Sequence, residues 1–437
     1  MAAQELIMEH LAQIFNEMEA SLNGMSGSPL HQFQKSAFST LREIDFPGRK
    51  HEDWKYTPVQ KILTPNYKLA GNVTNKTLPA IPNLDSYVIP INNGRVNMEL
   101  ALPSLSESGV KWYSLAEAYQ LPEWKEAFQN QMPQLAPDSN RAFDFLNLSF
   151  NTNGLFIDIP KGLRLKKPLE IRITHHDDAV SFSHPLLFIR CGQESEVTVL
   201  ERYEHLDQSL PATPEGLINS LLLFNIKAGA RVNHVKWQNL PLQQNLVYKL
   251  AATQERDSYF KTFAFDVGGQ VVRNNVEVDM LESNTYTSLQ AGYMASGKQS
   301  MDHQTRIHHL VHHCESHEHY KGIIDDQASG AFNGKVNVHP DAQKTNAYQQ
   351  NDTLVLSPYA VMNSKPQLEI FADDVKCSHG ATIGQLDEKA LFYLKSRGIT
   401  TAQATHILKT AFLATILNEV PDEAIRHYIT TNMSIDI

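Results

Sequence analysis

The chain has 437 residues, which is enough for two or three domains and a large buried core. Its formal net charge of −10 excludes a general nucleic-acid binder, because such proteins need a basic face that displaces counterions from phosphate. Its three cysteines, Cys191, Cys314 and Cys377, are odd in number and far apart, so they indicate a reducing compartment rather than a disulfide framework.

The N-terminal residues lack the features of a secretory signal. Glu5 and Glu9 lie near the start, and no basic segment precedes an apolar run. No apolar stretch approaches the roughly 20 residues that a membrane helix requires. We therefore expect a cytoplasmic protein without a membrane segment.

Residues 1–150 are predicted to form a mixed, largely helical N-terminal region. Apolar side chains recur at helical spacing through the opening segment, which predicts an amphipathic first helix. A second helix is expected from about 30 to 43, because Pro47 and Gly48 follow it.

Two further elements are predicted in this region. Residues 88–100 place apolar side chains on both sides of Asn93 and Gly94, a pattern typical of a β-hairpin with a tight turn. The stretch near 115–130 has a helical pattern.

The pattern changes at about residue 151, and residues 151–384 are predicted to be rich in strands. Short segments with a period of two occur at 154–160, 168–173, 186–191 and 196–203, and similar segments follow with turn signals between them. Few stretches could form an intervening helix, which excludes a doubly wound α/β fold. A sandwich, a barrel and a parallel β-helix all remain compatible with this periodicity.

Residues 385–437 return to a period of 3.6 and predict a small helical domain. Asp387 is expected to cap a helix that ends at Gly398. The buried side of this helix is predicted to carry Leu391, Phe392 and Leu394.

A second C-terminal helix is expected from Thr401 to about Val420, and a short third helix begins after Pro421. The second helix has a wide apolar stripe, which we expect to be buried. The stripe consists of Ile407, Leu408, Ala411, Phe412, Thr415 and Ile416.

The segment 308–319 is rich in potential metal ligands, namely His308, His309, His312, His313, Cys314, His317 and His319. Residues two apart share a strand face, so His317 and His319 could converge. The spacing matches no known zinc or non-haem iron pattern, however. We favour a polar strand surface, and a metal-dependent enzyme built on this segment is the alternative.

The segment 292–299 partly matches a phosphate-binding loop. Gly292, Gly297 and Lys298 have the required spacing, but Gln299 occupies the position where Ser or Thr must bind magnesium. The segment also lies between predicted strands rather than before a helix. We therefore predict no nucleotide site here, so any ATP hydrolysis must come from another subunit.

A cysteine and a histidine lie two residues apart in the last predicted strand. The side chains of Cys377 and His379 would face the same side of this strand. A thiolate and an imidazole are suitable iron ligands, but an iron-sulfur cluster typically requires four. The pair is therefore half a site that needs a partner, unless it is a buried cysteine beside a surface histidine.

Several segments resemble the SufB/SufD family of iron-sulfur cluster assembly proteins, and within it the SufD branch. They are HEDWKYTPVQKIL at 51–63, the run at 319–357, PQLEIFADDVKCSHGATIGQLDE at 366–388 and LFYLKSRGI at 391–399. SufB-like members carry an essential cysteine in a QCDS motif. The matching segment here reads Gln350, Asn351, Asp352 and Thr353, so that cysteine is absent.

The resemblance implies a mainly β protein with a right-handed parallel β-helix core and helical N- and C-terminal parts. It implies a non-catalytic scaffold subunit that pairs with a SufB-like paralogue and binds the ATPase SufC through its C-terminal helices. Homodimers are an option in isolation. The candidate SufC contacts are Leu391, Phe392, Tyr393, Arg397 and Phe412. A β-helix enzyme acting on polysaccharide is disfavoured, since such enzymes are usually secreted.

The resemblance also implies that Cys377 and His379 lie at the SufB interface, with His379 the stronger candidate for a contact with iron or a nascent cluster. No cofactor is expected to stay bound to the isolated chain. A transient iron-sulfur cluster is implied for the complex, as is a flavin, for which the sequence contains no recognisable motif.

Overall fold

Helices precede and follow a long run of strands. The computed structural model describes residues 2–21, 27–64, 66–71, 76–122, 138–151, 153–177, 179–206 and 214–435. Its α-helices are α1 (Ala2–Ser21), α2 (Pro29–Glu43), α3 (Val59–Leu63), α4 (Met98–Ser108), α5 (Leu115–Ala118), α6 (Ala142–Phe150), α7 (Glu388–Ser396), α8 (Thr401–Leu417) and α9 (Glu423–Asn432).

The first strands are short. They are β1 (Lys68–Leu69), β2 (Tyr87–Asn92), β3 (Arg95–Val96), β4 (Lys111–Ser114), β5 (Leu155–Ile159), β6 (Leu169–Thr174), β7 (Ser181–Ser183) and β8 (Leu186–Cys191). The later strands are longer. They are β9 (Glu196–Glu204), β10 (Gly216–Ile226), β11 (Arg231–Asn239), β12 (Gln244–Gln254), β13 (Tyr259–Asp266), β14 (Val271–Met280), β15 (Tyr286–Ala295), β16 (Ser300–His309), β17 (Glu315–Ile324), β18 (Ser329–Val338), β19 (Asn346–Val355), β20 (Val361–Ile370) and β21 (Lys376–Gly384).

Successive strands alternate between two sheets and so form a parallel β-solenoid of about eight turns. The first sheet has the order β20-β18-β16-β14-β12-β10-β8-β5-β4, and the second has the order β21-β19-β17-β15-β13-β11-β9-β6-β2-β3. From β5 to β21, neighbouring strands in each sheet are parallel. The predicted β-helix core is therefore confirmed.

The period of two in the sequence arises because alternate side chains point into the coil. In β14, for example, Val272, Val276, Val278 and Met280 are buried in the interior, whereas Glu277 between them lies on the outer face. Each turn stacks its inward residues on those of the next turn, which removes their apolar surface from water.

One corner of the coil repeats a left-handed residue in successive turns. Asp257, Asn284, His313 and Lys344 have φ values of 57°, 61°, 59° and 61°. The backbone N–H of each donates to a carbonyl of the next turn, as His313 N does to Gln343 O at 2.9 Å. This corner role accounts for one histidine of the segment 308–319.

The N-terminal elements close the first end of the solenoid and cover one face. Ala101 and Leu105 of α4 belong to the same buried cluster as the interior residues. Helices α1, α2 and α6 pack over the outer face of the first sheet. The predicted hairpin is present as β2 and β3, with Asn93 and Gly94 at positive φ. Of the helix predicted near 115–130, α5 is present, and residues 123–137 lie outside the described residues.

The C-terminal helices begin and end largely as predicted, but the faces they bury differ. Asp387 caps α7 by accepting from Lys389 N and Ala390 N, and Gly398 follows with a φ of 85°. The prediction that Phe392 is buried is wrong, since it is 74% exposed. None of the described helices has both the length and the apolar composition that crossing a bilayer requires.

The predicted stripe of α8 is also partly wrong. Ile407, Ala411 and Thr415 are exposed, whereas the helix packs on the outer face of the second sheet through a neighbouring set of residues. The buried residues are Ala404, Thr410, Leu413, Ile416 and Leu417. The error arose because α8 is apolar on both of these faces.

Candidate functional site

The last turn of the solenoid consists of β20 and β21, which are the edge strands of the two sheets. They have 10 and 9 residues, and no described residue continues either sheet beyond them. Apolar side chains are exposed at this end, including Val361, Phe371 and Ile383. We call this end of the solenoid, formed by β20 and β21, the open end.

Cys377 lies on β21 at the open end. It pairs in register with the buried Ala347 of β19 and packs against a small cluster that includes Val336 and Ala372. Burial raises the pKa of its thiol. Cys191 and Cys314 are buried, so Cys377 is the one cysteine of the chain with appreciable exposure.

His379 lies on the same face of β21 as Cys377, because the two are separated by one residue in a continuous strand. It pairs in register with Gln349, which is buried in the interior. His379 is exposed, and its ring has no hydrogen bond to any described residue. The structure therefore places an unengaged imidazole beside a half-buried thiol.

A polar row lies beneath this pair and was missed by the sequence analysis. Glu318 of β17 and Gln349 of β19 are buried in register with His379, and Gln349 Nε2 donates to Glu318 Oε2. Burial raises the pKa of Glu318 to about 7. The available signal was the alternation in β17, where Glu318 shares the inward parity of Ser316 and Tyr320.

The absence of the QCDS cysteine has a structural counterpart. Asn351 occupies that position and is fully buried in β19. Its Nδ2 donates to Tyr320 O at 3.3 Å, and its Oδ1 accepts from Ser364 Oγ at 2.8 Å. The amide is thus engaged in interior hydrogen bonds, and it offers no thiolate.

The histidine-rich segment is not assembled into one site. His308 lies on the outer face of the first sheet, His309 is buried in the interior, and His313 forms the corner. His317 and His319 share the outer face of the second sheet, where they bond to Glu315 and Asp352. His317 and His319 therefore share a strand face, but each bonds to a different carboxylate.

The partial match to a phosphate-binding loop is a turn between strands. Gly292 lies within β15, and Gly297, with a φ of 60°, lies in the turn that leads to β16. A phosphate-binding loop needs a helix N-terminus after the glycines. A strand, β16, follows this turn, which agrees with the prediction that the segment is not a nucleotide site.

The predicted contacts on α7 form an exposed face. Phe392 and Tyr393 are 74% and 58% exposed, and the Arg397 guanidinium lies 5.3 Å from the centre of the Tyr393 ring. Leu391 is half-buried on the same helix. Phe412 of α8 differs, since Lys321 lies over its ring at 4.8 Å and binds its carbonyl at 2.9 Å.

The donors at the open end are too few for a complete metal site. The described part of the chain contains no group of three or more His, Cys, Asp and Glu side chains placed to hold a metal ion. The iron-sulfur cluster that the family resemblance implies would need about four ligands. Cys377 and His379 fit one side of such a cluster by their chemistry.

Comparisons with known proteins agree with the segments singled out above. The family model for the SufBD core domain of SUF-system FeS cluster assembly matches residues 172–412, and the SufBD N-terminal model matches residues 5–171. The chain is 30% identical to the iron-sulfur cluster assembly protein SufD of Escherichia coli, with 89% of each chain covered. It is 29% identical to a SufBD family protein of Synechocystis sp., covering 94% of this chain and 93% of the relative. Similarity to SufB of Bacillus subtilis is lower, at 23% identity over 69% of this chain and 64% of the relative.

Proposed function

The chain belongs to the SufBD family of the SUF system of iron-sulfur cluster assembly, and from this premise we propose that it is a non-catalytic scaffold subunit. It offers His379 and Cys377 to a nascent cluster at an interface with a SufB-like paralogue. The observation that carries this proposal is the position of these two donors on an edge strand, where no other described residue completes the ligand set and a second protein could do so.

The unpaired edges support the pairing with a paralogue. Long edge strands present a row of free N–H and C=O groups, which monomeric proteins usually cover or keep short. Here β20 and β21 stay long, and Phe371 and Ile383 beside them are 63% and 51% exposed. A partner with the same fold would continue both sheets and bury these side chains. When the paralogue is absent, the same edges would support a homodimer.

The exposed face of α7 supports binding of the ATPase SufC. Phe392, Tyr393 and Arg397 combine apolar area with a cation, the kind of residue that anchors protein interfaces. In this proposal SufC hydrolyses ATP and the chain does not. Leu391 and Phe412 are half-buried and would contribute through their exposed edges.

The C-terminal helices would transmit motion from SufC to the solenoid. They are fixed to the second sheet by buried contacts, among them Arg202, whose guanidinium donates to Glu204 and to the hydroxyl of Tyr428 on α9. Closure of SufC on ATP would then move the paired solenoids and expose the ligands at their interface. Tyr428→Phe, which removes the hydroxyl that joins α9 to Arg202 and Glu204, should therefore weaken ATP-dependent assembly.

The proposal includes a cytoplasmic location and no resident cofactor. All three cysteines are free thiols, as a reducing compartment would maintain them. The iron-sulfur cluster is treated as cargo that leaves the complex.

The test is co-purification with a SufB-like paralogue and SufC, followed by measurement of iron and sulfide at equal complex yield. We expect His379→Ala to lower the cluster content by about tenfold or more, because a direct ligand is lost. The matched control is His317→Ala, which removes a half-buried histidine from the outer face of the same sheet. Normal cluster content in His379→Ala, or equal loss in both variants, would refute the proposal.

A further inference from the structure

A buried carboxyl group lies two strands inside the open end, and no function discussed so far uses it. Glu318 is 2% exposed and faces the interior of the solenoid. It has no ion-pair partner among the described residues, although most buried carboxylates are paired with a cation. Burying such a group in its charged form destabilises the folded state unless it is paired or hydrogen-bonded.

The strand register connects this carboxyl to the half-site. Glu318, Gln349 and His379 occupy one row across β17, β19 and β21. Neighbouring strands are separated by about 4.8 Å, so Gln349 is the one side chain of the row that lies between Glu318 and His379. Any change at Glu318 that alters Gln349 therefore reaches the strand that carries His379.

The Gln349 amide is held in a narrow slot. Its Nε2 donates to Glu318 Oε2, and a Cβ added to Gly334 of the opposite sheet would come within 2.1 Å of this nitrogen. Glu318 Oε1 and Gln349 Oε1 are both buried and make no hydrogen bond to the described residues. The slot fixes the position of the amide, but it leaves an unpaired oxygen on each side chain.

The protonation state of Glu318 decides whether the amide is restricted to one orientation. An ionised carboxylate only accepts, so the amide must donate Nε2 to it, as observed. A neutral carboxylic acid keeps one accepting oxygen and gains an O–H donor, so the amide then fits either as observed or after a 180° flip with Oε1 toward Glu318. The two orientations have nearly the same shape, so the slot accommodates both.

Both forms are accessible near neutral pH, because burial raises the pKa of Glu318 to about 7. The titratable groups facing this row are Tyr320 on the same strand, Asp266 and Tyr293 on inner turns, and His303 on the opposite sheet. Burial lowers the pKa of His303 to about 4, so it stays neutral. Asp266 is engaged by a buried lysine.

We propose that Glu318 is a positioning residue of the half-site. Its protonation state controls the orientation of the Gln349 amide, and so whether this amide offers a hydrogen-bond acceptor or a donor beneath His379. The inference rests on the proposed role of His379. With Glu318 ionised, the Gln349 amide keeps Oε1 as an acceptor that can hold one N–H of the imidazole and leave the other nitrogen for a metal. With Glu318 neutral, the amide can also flip and present its NH₂ donor instead.

The first test is a titration of the Gln349 side-chain amide by NMR in the full chain, with the signal assigned through Gln349→Glu. In the native chain we expect the amide resonances to move with a midpoint near pH 7. In Glu318→Gln, which keeps the shape and cannot ionise, we expect no such movement. A native signal that is constant from pH 6 to 8 would overturn the proposal, whether or not the variant folds.

The second test is cluster formation by the complex with a SufB-like paralogue and SufC at pH 6, 7 and 8. We expect the native chain to assemble clusters about threefold or more faster at pH 8 than at pH 6, relative to Glu318→Gln, which cancels the pH dependence of the other subunits. Equal pH profiles for the two would overturn the positioning role.

The two proposals fail separately. If His379→Ala retains full cluster content while the Gln349 amide still titrates near pH 7, the proposed function fails and the Glu318–Gln349 coupling stands. If His379→Ala loses the cluster and the amide does not titrate, the half-site stands and the coupling fails.

Discussion

The two ends of the solenoid are built in opposite ways. At the first end the sheets finish in short antiparallel strands, β3 and β4, and α4 buries Ala101 and Leu105 in the interior cluster. At the open end the sheets finish in long strands, with Phe371 and Ile383 exposed. Both ends face the same physical problem of unpaired edges and apolar interior residues, and among the described residues only the first end is covered.

The difference separates an end whose contacts are complete from an end where, in our proposal, a neighbour binds. Substitutions at the first end should change the free energy of unfolding, because the contacts there are complete. Substitutions at the open end should change association and cluster content instead. The predictions below test this division, from the largest expected change in stability to the smallest.

The largest effect is expected at α4, the helix that covers the first end of the solenoid. Leu105→Asp places a charge without a partner in the core, and we expect a loss of about 4 kcal/mol or more in the free energy of unfolding. Leu102→Asp is the matched control, since Leu102 lies on the same helix and is 40% exposed. Urea unfolding followed by circular dichroism measures both. A loss below about 1 kcal/mol for Leu105→Asp would mean that α4 does not stabilise the first end of the solenoid.

A smaller effect is expected at the ion pairs that attach α6 to the first sheet. Lys249 lies between Asp144 of α6 and Glu277 of β14, at 2.9 and 3.1 Å. Lys249→Met should cost about 3 kcal/mol at pH 7, because two partly buried carboxylates lose their cation. Lys344→Met, which breaks an exposed pair with Asp374, should cost less than about 1 kcal/mol.

The Lys249 pair also has a defined pH dependence. The ammonium of Lys249 lowers the pKa of Glu277 from 4.5 to about 2. A lowered pKa stabilises the folded state above the unfolded value, and this contribution is lost as the pH falls from about 4.5 towards 2. The urea midpoints of the native chain and Lys249→Met should therefore approach each other over that range. A constant gap down to pH 3 would contradict the assignment.

The smallest change in stability is expected at the open end. Phe371→Asp should alter the free energy of unfolding by no more than about 0.5 kcal/mol, because the side chain is 63% exposed. It should nevertheless weaken pairing with a SufB-like paralogue, measured by analytical ultracentrifugation, and leave SufC binding intact. Tyr393→Asp on α7 should have the reverse pattern. Loss of both partners in either variant would argue against two separate surfaces.

The sequence predicted the strands well and their stacking poorly. Alternation such as that of Val276, Glu277 and Val278 identifies inward and outward residues within one strand. Alternation does not say which strand lies next to the one that shows it. In this coil the neighbouring strand belongs to the following turn, as β18 does for β16, where Ser300 pairs with Ser329. The choice of a β-helix over a sandwich or a barrel therefore came from the resemblance.

The errors and omissions at the site have local physical causes. Phe392 was expected to be buried because an apolar residue in a short helix usually is, but α7 has no buried residue and leaves that face free. Glu318 was overlooked because the residues around it are also polar. The alternation in β17 gives its inward parity, but the extent of its burial also depends on the neighbouring turns, which the pattern of one strand does not contain.

The central claim is that this chain holds half of a cluster site, and the most direct test is the iron and acid-labile sulfide content of the isolated chain prepared without oxygen. The account predicts far less than one cluster per chain alone, and a cluster that depends on His379 once a SufB-like paralogue and SufC are added. One stable cluster bound by the isolated chain would contradict it.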